Sequence, residues 1–346
     1  MTDKKMTSFC AGCLYAFIHF SIEVACFYFL FSRISATPSW WILALLFDAL
    51  AFLTQGIFGC ISDKYQKIPF GLIGCGLALF ALILPLDIFA LIAISLGNAL
   101  LHIDGAQHTL RNSKAKITPN AVFVGGGSFG VVTGQILGGL GVKWGLLIPI
   151  CCMLVSAFLV GVIYKNHSLR IEESPTHIPL NVASDISDFA VVLFIIFAVA
   201  IRSYLAYAIP IEWNKTVWQT VLLFSFMGTG KALGGVLVDK IGFRKTAYIS
   251  VIFALPFLLF GNAVMVVSLV GVLLFSMTMP VTVGILLSKF PTMPGFAFGV
   301  TTVGLFFGVL PQFFFALPNL FMHRIVVLGL SIIALPLILS CLKRRK

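Results

Sequence analysis

Long apolar runs, most of about 20 residues, follow one another along nearly the whole of this 346-residue chain, separated by short polar turns. A helix of that length spans the hydrocarbon core of a bilayer. The runs are rich in Leu, Ile, Val, Phe and Ala and lack the strict alternation of a membrane barrel strand. Lipid offers no partner to an unpaired backbone group, so helices are the spanning element left. Charged residues make up 10% of the chain and hydrophobic ones 60%, against about a quarter and about half in a soluble domain. An all-α polytopic membrane protein is the class these runs allow.

Twelve spans are expected, over residues 8–31, 40–61, 69–84, 88–110, 121–140, 144–164, 189–209, 213–238, 246–262, 263–288, 293–317 and 325–341. The one long polar stretch, 165–188, contains Glu172, Glu173, Pro175, Pro179 and Asp185. It reads as a cytoplasmic linker with a short surface helix, between an N-terminal six-helix bundle (1–164) and a C-terminal one (189–346). Trp40, Trp41, Trp144, Trp213 and Trp218 all fall near one set of span ends, as an aromatic belt would. No signal peptide is expected, because the first run is too long and another span follows it.

The net charge of +11 is a topology signal and not a nucleic-acid footprint. Of the 23 Lys and Arg residues, four (Arg33, Lys143, Lys215 and Arg324) lie in expected outer loops and two (Arg202 and Lys231) within spans. The rest cluster in segments of the opposite side, including Lys4, Lys5, Lys114, Arg170 and the tail 343–346. This bias puts both termini in the cytoplasm. Eight Cys residues lie mostly in apolar runs; Cys10 and Cys13 have no metal-spaced partners and read as small membrane residues.

One motif occurs twice. Gly59-x-x-x-Asp63-Lys64 ends the second run, and Gly235-x-x-x-Asp239-Lys240-x-Gly242-x-Arg244-Lys245 ends the eighth. The two aspartates stand about half a chain apart, which marks an internal duplication. A Gly at a helix end admits another backbone closely, and an Asp one turn on can accept from a neighbouring helix N-terminus. The pattern resembles motif A of the major facilitator superfamily, with Gln66 in the place of its second Gly in the first copy. The resemblance implies two pseudo-symmetric six-helix bundles, and gate roles for Gly59, Asp63, Lys64, Gly235, Asp239, Lys240 and Arg244. In the fifth run Gly130, Gly134, Gly138 and Gly139 make a smooth packing stripe resembling the family's motif C, with Gln135 where that motif has Pro.

Ionisable residues within spans are costly and are functional candidates by default. His19 and Glu23 share a face of the first helix, with Tyr15 a turn away, and Asp48 lies in the second. In the fourth, Asn98 and His102 share one face while Asp104, His108 and Arg111 share another. Arg202, near Tyr204 and Tyr207, lies in the seventh, and Lys231 in the eighth. The resemblance implies that the first, fourth, seventh and tenth helices line a central cavity. His19, Glu23, Asn98, His102, Arg202, Tyr204, Tyr207 and Lys231 are therefore the candidate substrate site, and Glu23, His19 and Asp48 the candidate proton-coupling residues. For Asp48 a structural role competes. Asp104 and Arg111 are expected to join Asp63 in a gate network.

The expected function is secondary active transport of a small polar or amphipathic organic molecule by alternating access, with protons as coupling ion. Efflux by antiport is favoured by the fifth-helix stripe. Import of an organic anion by symport is the alternative, resting on Arg202 and Lys231. A membrane metal enzyme using His102, Asp104 and His108 is a distant third, since the repeated His boxes of such enzymes are missing. No G-x-x-x-x-G-K-(S/T) run exists to drive a nucleotide-powered pump. Neither cofactor nor resident metal is expected, and no nucleic-acid partner. A monomer in a bacterial inner membrane completes the expectation.

Overall fold

The computed structural model describes residues 8–111, 113, 115–141, 144–165 and 186–342. The core of the 165–188 linker and the cations Lys4, Lys5, Lys114, Lys143, Arg170 and 343–346 lie outside the described residues. Among the described residues twelve helical segments run back and forth: α1 Ser8–Ile34, α2 Trp40–Lys64, α3 Phe70–Ile83, α4 Asp87–Arg111, α5 Thr118–Gly139 and α6 Leu147–Lys165 form the first half. The second comprises α7 Asp188–Ala208, α8 Val217–Ile241, α9 Phe243–Phe260, α10 Met265–Lys289, α11 Pro294–Phe313 and α12 Leu320–Ser340. Eleven are long and apolar enough to cross a membrane, and α3 is a shorter apolar helix. The chain is a multi-pass membrane protein.

The expected spans coincide with these helices except at a few ends. The α8 helix begins at Val217, capped by Thr216 in a capping box with Gln219, and not at Trp213. Trp213 is correspondingly buried, and so leaves the expected belt, whereas Trp40, Trp41, Trp144 and Trp218 are exposed. A single wide turn ends α1 at Leu30–Ile34, and others interrupt α2 at Ala49–Leu53 and α9 at Ile249–Phe253.

Glycine sets which helices touch backbone to backbone. A Cβ at Gly126, Gly130, Gly134 or Gly138 of α5 would run into the carbonyls of Ala16, Phe20, Val24 and Tyr28, one turn of α1 after another. In the second half, Gly304 and Gly308 of α11 stand in the same relation to Ile196 and Ala200 of α7. The fifth-helix stripe therefore packs α5 on α1 within one half. Gly139 is not part of it, since a Cβ there would meet only Phe31, at 3.9 Å.

Two seams join the halves, and both use the duplicated motif. Gly59 on α2 lies against the Gly295 carbonyl at the start of α11, and Gly299 against the Gln55 carbonyl. Gly235 on α8 lies against Ala121 and Thr118 of α5, and Gly125 and Gly228 face each other, each within 2.8 Å of the other's carbonyl for an added Cβ. Both seams occupy the end of the bundle that carries the termini. Beyond them, toward the opposite end, lies a central cavity.

Candidate functional site

The cavity has a volume of about 480 Å³ and reaches from Lys231 outward to Ile211 and Gln312 at the end away from the termini. The first half contributes His19, Glu23 and His102 to its wall; the second contributes Arg202, Lys231 and Tyr207. Much of the remaining lining is apolar, including Phe27, Phe52, Phe224 and Met227. This composition suits a small molecule whose few polar groups are each met by a specific side chain.

Glu23 is the centre of the polar cluster. Asn98 Nδ2 donates to its Oε1 at 3.1 Å and also reaches Cys26 Sγ at 3.4 Å. His19 Nε2 lies 3.4 Å and His102 Nε2 3.5 Å from that same oxygen. Each imidazole is oriented from its other nitrogen: His19 Nδ1 lies 2.9 Å from the Phe123 carbonyl and His102 Nδ1 2.9 Å from the Asn98 carbonyl. A carbonyl can only accept, so both Nδ1 atoms carry the proton. The rings meet edge to face, 4.3 Å between centroids. Gly127 makes room for the His19 ring, because a Cβ there would strike Nε2. Glu23, His19, Asn98 and His102, which the sequence analysis grouped as one candidate site, lie together in one cluster.

The cations across the cavity are arranged differently. Lys231 Nζ donates to Ser128 Oγ of α5 at 2.9 Å. Arg202 has no hydrogen-bond or ion-pair partner among the described residues, and its buried Nε is unsatisfied. Tyr207 lines the cavity, whereas Tyr204 is turned aside and packs on the Tyr207 ring at 6.0 Å. Asp48 is not among the lining residues and makes no hydrogen bond or ion pair among the described residues, although its carboxyl lies close enough to feel the charge of Glu23.

At the terminus end each motif aspartate caps a helix of the other half. Asp63 accepts the backbone N–H of Gly295 at 3.0 Å and of Phe296 at 2.8 Å, the first turn of α11. Asp239 accepts the N–H of Ile117 at 2.9 Å and of Thr118 at 3.1 Å, and the Thr118 hydroxyl, at the start of α5. Helix N-termini present unpaired donors and partial positive charge, so a carboxylate is well matched to both places. Arg111 reaches Asp63 at 3.4 Å and also donates through Nε to Gln107 Oε1, and Gln107 Nε2 in turn donates to Asp63 at 2.5 Å. Gln107, Thr118 and Ser128 were not singled out by sequence; only Thr118, followed by Pro119 at a helix start, carried a recognisable signal. Lys64 lies over the Tyr65 ring, Lys240 is exposed, and Arg244 donates to the Leu342 carbonyl at 3.2 Å.

Asp104 makes no hydrogen bond or ion pair with Asp63 or Arg111 among the described residues. It accepts from Tyr15 at 3.0 Å and from Tyr164 at 2.5 Å, with His108 alongside and stacked on Tyr15. These contacts tie α1, α4 and α6 together inside the first half. The same arrangement disposes of a metal centre built from His102, Asp104 and His108, because His102 turns to Glu23 while the other two turn to the tyrosines.

No protein-family model and no curated protein matches the sequence. Solved structures do match, nearly end to end. A variant of the E. coli fucose:proton symporter FucP superposes with a TM-score of 0.68 at 13% identity, covering 98% of this chain and 100% of that one. A bacterial homologue of the iron transporter ferroportin, in its outward-facing state, gives 0.62 at 14%, covering 97% and 98%. The human organic anion transporter MFSD10 (TETRAN) gives 0.64 at 15%, covering 94% and 99%. At such identities the likeness speaks for the fold alone, and two six-helix halves joined by paired motif-A seams around a central cavity are that fold: the chain has the architecture of the major facilitator superfamily transporters.

Proposed function

We propose that the protein is a secondary active carrier of a small organic anion, moved through the central cavity by alternating access of its two halves. The observation that carries this reading is the pair Arg202 and Lys231: two cations lining one cavity, neither paired with a carboxylate among the described residues. Both side chains are half-buried, and a substrate carboxylate or phosphate would supply the charge partner that each lacks. The cavity's one acidic wall, Glu23, is already engaged by Asn98 and faces two imidazoles on the first half. An anion held by the second half and a cation held at Glu23 would then share the cavity, which favours symport over the exchange expected from the glycine stripe. That stripe supports tight α1–α5 packing and carries no weight for direction.

The duplicated aspartate caps support the cycle itself. Each cap ties one half to a helix start of the other, so rocking the halves breaks both together and opens the terminus end. The lysine-rich side of the sequence supports cytoplasmic termini and hence an outward-open cavity, in a bacterial inner membrane and as a monomer.

The test is counterflow in proteoliposomes with a panel of organic anions, cations and neutral amphiphiles. Exchange of one class of anion, weakened in Arg202→Gln and Lys231→Gln, supports the reading. Transport confined to cations or neutral compounds, and unaffected by either variant, would overturn it.

A further inference from the structure

We infer that His19, Glu23 and His102 form a binding site for a divalent transition-metal ion in the cavity wall. The three side chains offer two nitrogens and one oxygen that all lie within 4.8 Å of one another, on buried residues from two helices. Both Nε2···Oε1 separations, 3.4 and 3.5 Å, exceed the 2.7–3.2 Å of an ordinary hydrogen bond. They match instead the edge of a tetrahedron around an ion with bonds of about 2.0–2.2 Å, which is about 3.4 Å.

The tautomers point the same way. With Nδ1–H of each imidazole given to a backbone carbonyl, each ring in its neutral form turns its Nε2 lone pair toward a carboxylate oxygen. Three electron-rich atoms then converge with no donor among themselves. Imidazoles fixed by Nδ1–H···O=C bonds, beside a carboxylate that is itself hydrogen-bonded by Asn98, are the outer-shell arrangement that metal-ligating histidines use. Two imidazoles and one carboxylate select zinc, cobalt or ferrous iron over magnesium or calcium, which prefer all-oxygen shells.

Three protein ligands leave at least one coordination position open, and all three residues line the cavity. That the ion travels with the anion rests on the carrier reading above; that it binds does not. The chemistry of the two walls is complementary, since an anion bound by Arg202 and Lys231 could complete the shell of an ion bound opposite.

The test uses Co²⁺ as the probe on the purified full-length protein in detergent. One equivalent should bind and develop the visible absorption of four-coordinate cobalt. Glu23→Gln and His102→Gln should each weaken binding by about a hundredfold or more, and Asn98→Ala, which removes only an outer-shell contact, by about ten- to a hundredfold. Each variant is checked for a wild-type melting temperature and elution volume. No visible band with wild-type protein, or equal affinity in wild type and a folded Glu23→Gln variant, would overturn the site. Zinc flux into proteoliposomes with and without organic anion then separates the two claims. Anion counterflow that persists in chelator leaves the carrier reading intact, and cobalt binding that persists when no anion is carried leaves the metal site intact.

Discussion

The Asp63 carboxylate accepts the backbone N–H of Phe296 at 2.8 Å, across the boundary between the two halves. With Gly295 bonded beside it, one side chain satisfies two of the donors that open α11. Hydrogen bonds to a charged group are each worth about 1.5–3 kcal/mol. Asp63→Asn should therefore shift the equilibrium toward opening at the terminus end by about ten- to a hundredfold. Distances between spin labels at Lys67 and Lys289 should lengthen, and unchanged distances would remove Asp63 from the gate.

Asp239→Asn acts on the same equilibrium through the start of α5, where Ile117 and Thr118 supply the donors. Its effect on those label distances should resemble that of Asp63→Asn, and the double variant should shift the population further than either. A silent Asp239→Asn would show that one seam alone holds the closed end.

Gly134→Ala and Gly139→Ala should separate cleanly. A Cβ at Gly134 would lie 2.7 Å from the Val24 carbonyl, so α1 and α5 must part, at a cost of about 1–3 kcal/mol. At Gly139 the nearest atom is 3.9 Å away and the melting temperature should hold. Equal melting temperatures for the two variants would contradict this packing.

Tyr164→Phe removes one of two hydroxyls that satisfy Asp104 and should destabilise the protein by about 1–3 kcal/mol. Because Asp104 is tied into α1, α4 and α6 and not into the cavity, substrate affinity should stay within about twofold. A lowered affinity at unchanged stability would return Asp104 to the transport path.

Arg202→Gln should weaken anion binding by about tenfold to a hundredfold, since it deletes a charge-assisted contact. Asp48→Asn, outside the cavity wall, should leave affinity and transport close to wild type. Equilibrium binding of the anion found by counterflow reads both.

The span count, the duplication and the two motif aspartates were legible because each is a local signal. A run of about 20 apolar residues must cross the bilayer wherever it packs, and Asp63 and Asp239 sit at helix ends, where the next helix start is the natural partner. Glu23 and His19 were likewise joined by their spacing on one helix, and Asn98 with His102 on another.

Which face each helix turns inward was decided only by tertiary structure. In a soluble helix an apolar stripe reports that direction, but here lipid and protein interior are both apolar, and the stripe vanishes. Asp104 and Arg111 lie on one helix face, yet Asp104 turned to Tyr15 and Tyr164 while Arg111 reached Asp63. His102 and Glu23 lie 79 positions apart, and only the packing of α4 on α1 brought a second imidazole to the same carboxylate oxygen. Composition, spacing and repeats thus determined the membrane class and the duplicated glycine–aspartate motif, all written in residues close along the chain. The contact of Lys231 with Ser128 and the meeting of His19 and His102 at one Glu23 oxygen came from helix rotation and close glycine packing, which are set by contacts between helices far apart in sequence.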